Sequence, residues 1–252
     1  MTFIEAIILG AIQGLTEFLP ISSSGHLVLA QHFLEIKDAG NELEVLVHIG
    51  TLASILVVFS NDIKSILVNI KSKKNQSFVF LLLIASLPAA ALGIGYKDFF
   101  ELLFDDFYIV SKALLFTGFI LCSSYFFKPK NKYHNINSAI LIGIAQAFAI
   151  VPGISRSGFT ISCALLLGIN PKDAAKFSFL MAIPAISGAG LMTFIDTNGD
   201  FSLSLSVGFG ALLSSFLVGV ISLRWLLRWL RKGKFHYFGI YCLFLGLVML
   251  LK

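Results

Sequence analysis

The sequence predicts an all-α integral membrane protein with six transmembrane helices plus two re-entrant helix-loop-helix hairpins, arranged as an inverted-topology repeat. Three observations lead there. First, 57% of the 252 residues are hydrophobic and 13% are charged, against ~25% charged in an ordinary soluble domain. That composition excludes a disordered chain, a nucleic-acid-binding module and a cytosolic globular enzyme. The +5 net charge implies no nucleic-acid partner, because nearly all the basic residues are segregated into loops between apolar runs. Second, apolar runs of membrane-crossing length alternate with two apolar regions that are broken in the middle. Third, those two broken regions repeat one another.

The first broken region, residues 3–36, is interrupted by Pro20-Ile21-Ser22-Ser23-Ser24-Gly25-His26. The piece after the break is too short to cross a bilayer, which takes ~20 apolar residues. It is therefore expected to fold back, with its polar turn buried in protein or lining a wet cavity. Spans follow at about 43–59, 77–96 and 107–127. The second broken region, 137–168, is interrupted by Val151-Pro152-Gly153-Ile154-Ser155-Arg156-Ser157-Gly158, and spans follow at about 176–195, 204–224 and 237–251. The segment from Met1 lacks the basic start of a cleavable signal and carries Glu5, Gln13 and Glu17.

Charge placement sets the sidedness. If both hairpins return to their own side, the loops 60–76, 128–136, 169–176 and 224–236 share a face that holds 14 Lys/Arg. The opposite face holds only Lys37, Lys97, Lys112 and Lys252, beside Asp98, Glu101, Asp105, Asp106, Asp196 and Asp200. The positive-inside rule puts the basic face in the cytoplasm and both termini outside.

A shift of 133 residues overlays Gly10 on Gly143, Gln13 on Gln146, Ser22 on Ser155, Ser24 on Ser157 and Gly25 on Gly158. Residues 1–252 thus read as one membrane domain with repeat halves of about 1–130 and 131–252. Each half carries an odd number of crossings, so the second is inverted, and the two hairpin tips are expected to meet near the midplane. The tips differ where chemistry would sit. Glu17 is matched by Ile150, Ser23 by Arg156 and His26 by Phe159.

A carboxylate at membrane depth is costly and points to function. Glu17 shares a helix face with Gln13, four residues away. Ser22, Ser23 and Ser24 begin a second short helix, whose free N–H groups suit an anion. Ser23 is a candidate nucleophile with His26 as its base; alternatively, His26 attacks phosphorus itself or protonates the leaving oxygen. At the second tip, Gly153 lets backbone approach a ligand, and Arg156 offers a planar fork for phosphate oxygens. Ser155, Ser157 and Thr160 add hydroxyls. Together these groups describe a phosphate cradle inside a bilayer, so the expected substrate is a phosphate ester or anhydride with a long lipid tail.

Gln13-Gly14-Leu15-Thr16-Glu17-Phe18-Leu19-Pro20-Ile21-Ser22-Ser23-Ser24-Gly25-His26 and Pro152-Gly153-Ile154-Ser155-Arg156-Ser157-Gly158-Phe159-Thr160 resemble the two signatures of the bacitracin-resistance undecaprenyl-diphosphate phosphatase family. The resemblance covers essentially the whole chain. It implies a hydrolase of the bacterial cytoplasmic (inner) membrane that removes the terminal phosphate of undecaprenyl diphosphate. The product is the lipid carrier for peptidoglycan, and bacitracin competes by sequestering the substrate. The resemblance also implies a periplasm-facing site and a divalent cation, Mg²⁺ or Ca²⁺, with Glu17 as the essential acid and a metal ligand. Ser23 and His26 are the implied nucleophile and base, in an order left open. Arg156 is implied to hold the phosphates. A homodimer is the oligomer considered. One departure is visible: the family often has glutamate where this chain has Gln13, and an amide is a far weaker ligand for these cations than a carboxylate.

The competing class is a transporter or flippase of polyprenyl phosphate, which the inverted-repeat architecture supports directly and which needs the arginine and the polar tips but no serine–histidine pair. Other features read as structural. His48 is expected to be a satisfied core histidine. Gly10, Gly14, Gly188 and Gly190 are expected to permit close helix packing, and Cys122, Cys163 and Cys242 to act as small hydrophobes. Trp225 and Trp229, with Arg224, Arg228 and Arg231, are expected to form a cytoplasmic interface belt.

Overall fold

The computed structural model describes residues 1–36, 40–104, 106–127, 130–196 and 203–251. Lys37, Asp105, Lys128, Asp200 and Lys252, which enter the charge count, lie outside the described residues. The described residues are almost entirely helical. Helix α1 (Phe3–Thr16) starts at Thr2, whose side chain caps the Glu5 N–H while Glu5 bonds back to the Thr2 N–H. This reciprocal box satisfies two of the free donors at a helix start. The chain then breaks, and α2 (Ser23–Phe33) begins at Ser22, whose hydroxyl accepts the Gly25 N–H at 3.3 Å. Next come α3 (Gly40–Val58), α4 (Ser60–Val68), α5 (Lys73–Gly95), α6 (Lys97–Phe104) and α7 (Phe107–Ser123).

The second half repeats the plan. Asn135 and Ser138 form the capping box of α8 (Ile136–Phe148). Ser155 caps α9 (Arg156–Leu166) by accepting the Gly158 N–H at 3.1 Å. Thus Ser22 and Ser155, matched by sequence, do the same job at the two breaks. Then follow α10 (Pro171–Asp196), α11 (Leu205–Arg231) and α12 (Tyr237–Leu250).

The chain is an all-α, multi-pass membrane protein. Among the described residues, four helices are long and apolar enough to cross a bilayer alone: Lys73–Gly95, Phe107–Phe126, Pro171–Met192 and Leu205–Arg231. Glu42–Val58 and Ser60–Val68 pass the same test only together, and they meet at a bend of 69°. Helix α12, with 14 residues, is about 21 Å long at 1.5 Å per residue, against a hydrocarbon core of ~30 Å. Leu83, Leu87, Phe119, Leu217, Ile221 and Phe244 are exposed along these helices. So much exposed apolar surface suits lipid, not water.

Three helices depart from the sequence reading. Asn61, Asp62 and Lys64 suggest a polar loop, yet Ile63 and Ile66, three apart, pack on the core as one side of α4. Lys176 reaches Asp62 at 2.5 Å and ties α4 to α10. Helix α6 is likewise short and lies between two expected spans. Helix α11 also runs on to Arg231, past the expected end at 224, because its arginines suit the C-terminal end of a helix dipole.

The hairpins are seated by glycine. Helix α1 packs on α11, and α8 packs on α5. A Cβ on Gly10 would collide with the Ala211 carbonyl oxygen, one on Gly14 would lie 2.5 Å from that of Ser215, and one on Gly143 2.5 Å from that of Ala85. The backbones therefore touch, and Ser222 donates to the Gly14 carbonyl at 2.6 Å across the same seam. The expectation for Gly188 and Gly190 is corrected. A Cβ on Gly188 would meet nothing within 4 Å, and one on Gly190 only the Val45 side chain at 3.8 Å. These glycines face open space rather than a closely packed backbone. Of the cysteines, Cys242 is buried while Cys122 and Cys163 are partly exposed.

Candidate active site

The breaks after α1 and before α9 face each other. The Gly153 N–H points at Ser24 Oγ, 3.4 Å away. A Cβ on Gly158 would lie 3.1 Å from Pro20 Cβ. Between them, Arg156 Nη2 is paired with Glu17 Oε1.

Glu17 is the hub. It is only 8% exposed. Its second oxygen, Oε2, accepts from Ser23 Oγ at 2.8 Å and from Gln13 Nε2 at 3.0 Å. Charged acceptors make stronger bonds than neutral ones, so the carboxylate holds both tips in register. Two groups at this hub remain uncommitted. Among the described residues, Arg156 Nη1 and Gln13 Oε1 are buried without hydrogen-bond partners.

The predicted residues therefore divide. Gln13, Glu17, Ser23 and Arg156 form one cluster. Ser22 and Ser155 cap their helices, and each sits near a second serine: Ser24 at 3.2 Å and Ser157 at 3.4 Å. Thr160 turns inward, donating to the Arg156 carbonyl at 2.7 Å and sharing a hydrogen bond with Ser178 at 2.6 Å. It supports the second tip from below.

The expected pairing of Ser23 with His26 is not formed. His26 Nδ1 lies 2.8 Å from the Ser22 carbonyl oxygen, and its Nε2 lies 2.7 Å from the Tyr241 hydroxyl on α12. A carbonyl only accepts, so Nδ1 carries hydrogen, and in the neutral ring Nε2 is the basic atom. The two rings stack at 5.7 Å. A helical turn from the serine, the imidazole faces a tyrosine 215 positions away in sequence.

His48 also departs from expectation. It is not a core histidine. Its side chain is 35% exposed, and its Nε2 lies 3.8 Å from Glu17 Oε2. A signal was available: its repeat mate is Met181, so this position diverges between the halves just as position 17 does. Tyr241 and Thr117 gave no local signal. Thr117, on α7, donates to the Gly153 carbonyl at 3.0 Å and accepts the Ser155 N–H at 3.1 Å, clamping the second tip.

Gly153 has φ +94°, and a Cβ there would collide with the Val110 carbonyl oxygen. Gly153→Ala must move the tip that carries Arg156. A misplacement near 1 Å costs about 10²-fold in rate. We expect turnover to fall by about that factor with a lowered thermal midpoint, measured by steady-state kinetics and by melting in detergent.

The donors suit a divalent cation in part. Glu17 supplies a carboxylate and Gln13 a free amide oxygen, but among the described residues no three His, Cys, Asp or Glu gather at one point. A site with two protein carboxylates is not built here.

The family model for "Bacitracin resistance protein BacA" matches residues 6–248. A Bacteroides thetaiotaomicron protein named undecaprenyl-diphosphatase is 39% identical over 264 aligned positions, covering 100% of this chain and 99% of its own length. Proteins of the same name from Halothermothrix orenii and Carboxydothermus hydrogenoformans are each 41% identical. The former alignment covers 100% of this chain and 98% of the relative, the latter 99% and 97%.

Proposed function

The chain belongs to the bacitracin resistance protein family, and from that premise we propose that it hydrolyses undecaprenyl diphosphate to undecaprenyl phosphate and inorganic phosphate. The observation that carries the chemistry is Ser23 donating to Glu17 while Arg156 binds the other carboxylate oxygen. It joins a nucleophile, a base and a phosphate fork at one point.

The free Nη1 of Arg156 and the N–H groups opening α2 and α9 hold the terminal phosphate. Ser23 Oγ attacks its phosphorus in line and Glu17 takes the hydroxyl proton, so the anhydride bond breaks and undecaprenyl phosphate leaves. Water then opens the phosphoserine, with His26 one turn along the helix as the base. Arg156 opposes the charge that grows on the phosphoryl oxygens. Glu17 and Gln13 would hold a divalent cation, which when bound supplies further charge neutralisation for the diphosphate. The geometry thus favours Glu17 over His26 as the partner of Ser23. The relatives' names favour hydrolysis over the flippase, which the inverted repeat alone suits.

For the membrane arrangement, we retain six spans with both hairpins re-entrant, the site and both termini periplasmic. The matched caps at Ser22 and Ser155, the exchanged seating of α1 and α8, and the crowding of Lys and Arg into one set of loops support that arrangement. Bacitracin would act by withholding the substrate.

The test is phosphate release from a C15 or C55 prenyl diphosphate by purified protein in detergent, with and without EDTA. Release is expected, and it should be slowed by EDTA. No release from folded, cation-supplied protein overturns the proposal. In the same assay, Tyr241→Phe removes the hydroxyl that positions the His26 ring at Nε2. We expect kcat to drop about tenfold with KM little changed, at the lower edge of general acid–base effects. An unchanged kcat would remove Tyr241 from the site.

A further inference from the structure

We propose that His48 is a ligand of the divalent cation in this chain, its Nε2 joining a Glu17 carboxylate oxygen and the Gln13 amide oxygen. Three observations converge on it. His48 Nδ1 lies 2.7 Å from the Glu44 carbonyl oxygen. That carbonyl can only accept, so the Nδ1 hydrogen is committed, and the neutral ring presents a lone pair at Nε2. Metal-bound histidines are held in this way, with the second nitrogen donating to a carbonyl or carboxylate.

His48 Nε2 lies 3.8 Å from Glu17 Oε2. Two acceptors at that separation repel unless something positive lies between them. With bonds of about 2.0–2.2 Å to nitrogen and oxygen, two donors on one ion sit roughly 3–4 Å apart. The pair has that spacing already. The third observation is Gln13 Oε1, buried without a hydrogen-bond partner on the same helix face as Glu17. A buried amide oxygen left unpaired is costly, and coordination satisfies it.

The three donors come from two elements. Helix α1 and its C-cap carry Gln13 and Glu17, and α3 carries His48. An imidazole here offsets the carboxylate missing at position 13. It also changes the preferred ion. Carboxylate and water suit Mg²⁺, Ca²⁺ and Mn²⁺, whereas imidazole adds affinity for first-row metals, increasingly so after Mn²⁺. Mn²⁺ opens that series and accepts both kinds of donor, so the site should bind it more tightly than Ca²⁺, which takes oxygen ligands.

The inference rests on the phosphatase reading only for the identity of the cleft, and its test uses the metal alone. Mn²⁺ would be added to the full-length protein in detergent and observed by pulsed electron paramagnetic resonance. Wild type and His26→Gln are expected to show nitrogen coupling from a bound imidazole. His48→Gln should lose the coupling and bind Mn²⁺ at least about tenfold more weakly, the lower end of losses on disturbing a metal site. His48→Glu should also lose the coupling but shift preference back toward Mg²⁺ and Ca²⁺, which guards against a merely misfolded variant. Failure of folded wild type to bind Mn²⁺, bound Mn²⁺ without nitrogen coupling, or coupling that survives His48→Gln would each overturn the assignment. If wild type releases phosphate yet shows no coupling, His48 is excluded and the phosphatase stands. If coupling is present without hydrolysis of any prenyl diphosphate, the metal site stands and the phosphatase reading falls.

Discussion

Arg156→Ala is expected to lower kcat/KM for a prenyl diphosphate by about 10³-fold, the upper range for removing one preorganised charge-stabilising donor. The guanidinium does two things at once. Nη2 holds Glu17 Oε1 across the hairpins, and Nη1 is a buried donor without a protein partner. Alanine removes both and leaves the Glu17 carboxylate without its cation. Arg156→Lys should recover little, because one ammonium lacks the fork needed to serve the carboxylate and a phosphate together. We expect the lysine variant to remain at least about 10²-fold down, taking most of that loss from the same donor effect. Activity within a few-fold of wild type in either variant would mean that the phosphates bind elsewhere. Arg156 would then be a partner for Glu17 alone.

Much of this molecule was legible beforehand because membrane folding leaves few options. Backbone in hydrocarbon must satisfy itself, so long apolar runs become helices and broken ones become hairpins. Ser22 and Ser155 cap their helices because serine at a break before a helix does so in any solvent. The close seams at Gly10 and Gly14 followed from small residues on a helix face. What escaped were the amphipathic pieces α4 and α6, where charged residues masked a helical period. Gly188 and Gly190 mislead in the opposite way, since a small residue permits contact without requiring it.

The site was legible in its composition and less so in its pairings. Glu17, Ser23 and Arg156 stand out because charge and hydroxyls at membrane depth need a reason. Sequence proximity then suggests Ser23 with His26, three positions apart. On a helix, however, the start of α2 turns Ser23 toward α1 and His26 toward α12. The partners that decide the geometry, Tyr241, Thr117 and His48, come from other helices. For His48 the divergence from Met181 was the only clue. Nothing local marks Tyr241 as the partner of a histidine 215 residues earlier.

Glu17→Gln gives the second large effect, and it separates the two bases. The amide is close in shape and its oxygen can still accept from Arg156, so the apposed tips should stay within reach, held more weakly by a neutral acceptor and with a lowered melting temperature. It cannot take the Ser23 proton. We expect kcat to fall about 10³–10⁴-fold, near the top of what a positioned acid–base group supplies, at saturating Mn²⁺ and with a smaller change in KM. Because Ser23 Oγ already donates to Glu17 Oε2 at 2.8 Å, the lost step should be formation of the phosphoserine. Rapid-quench labelling with a terminally ³²P-labelled prenyl diphosphate would then find no labelled protein in Glu17→Gln. It should find label accumulating in His26→Ala, where the enzyme can be phosphorylated but water lacks its base. Label accumulating in Glu17→Gln instead would reverse the order. His26 would then activate Ser23 after releasing Tyr241, and the carboxylate would serve the water.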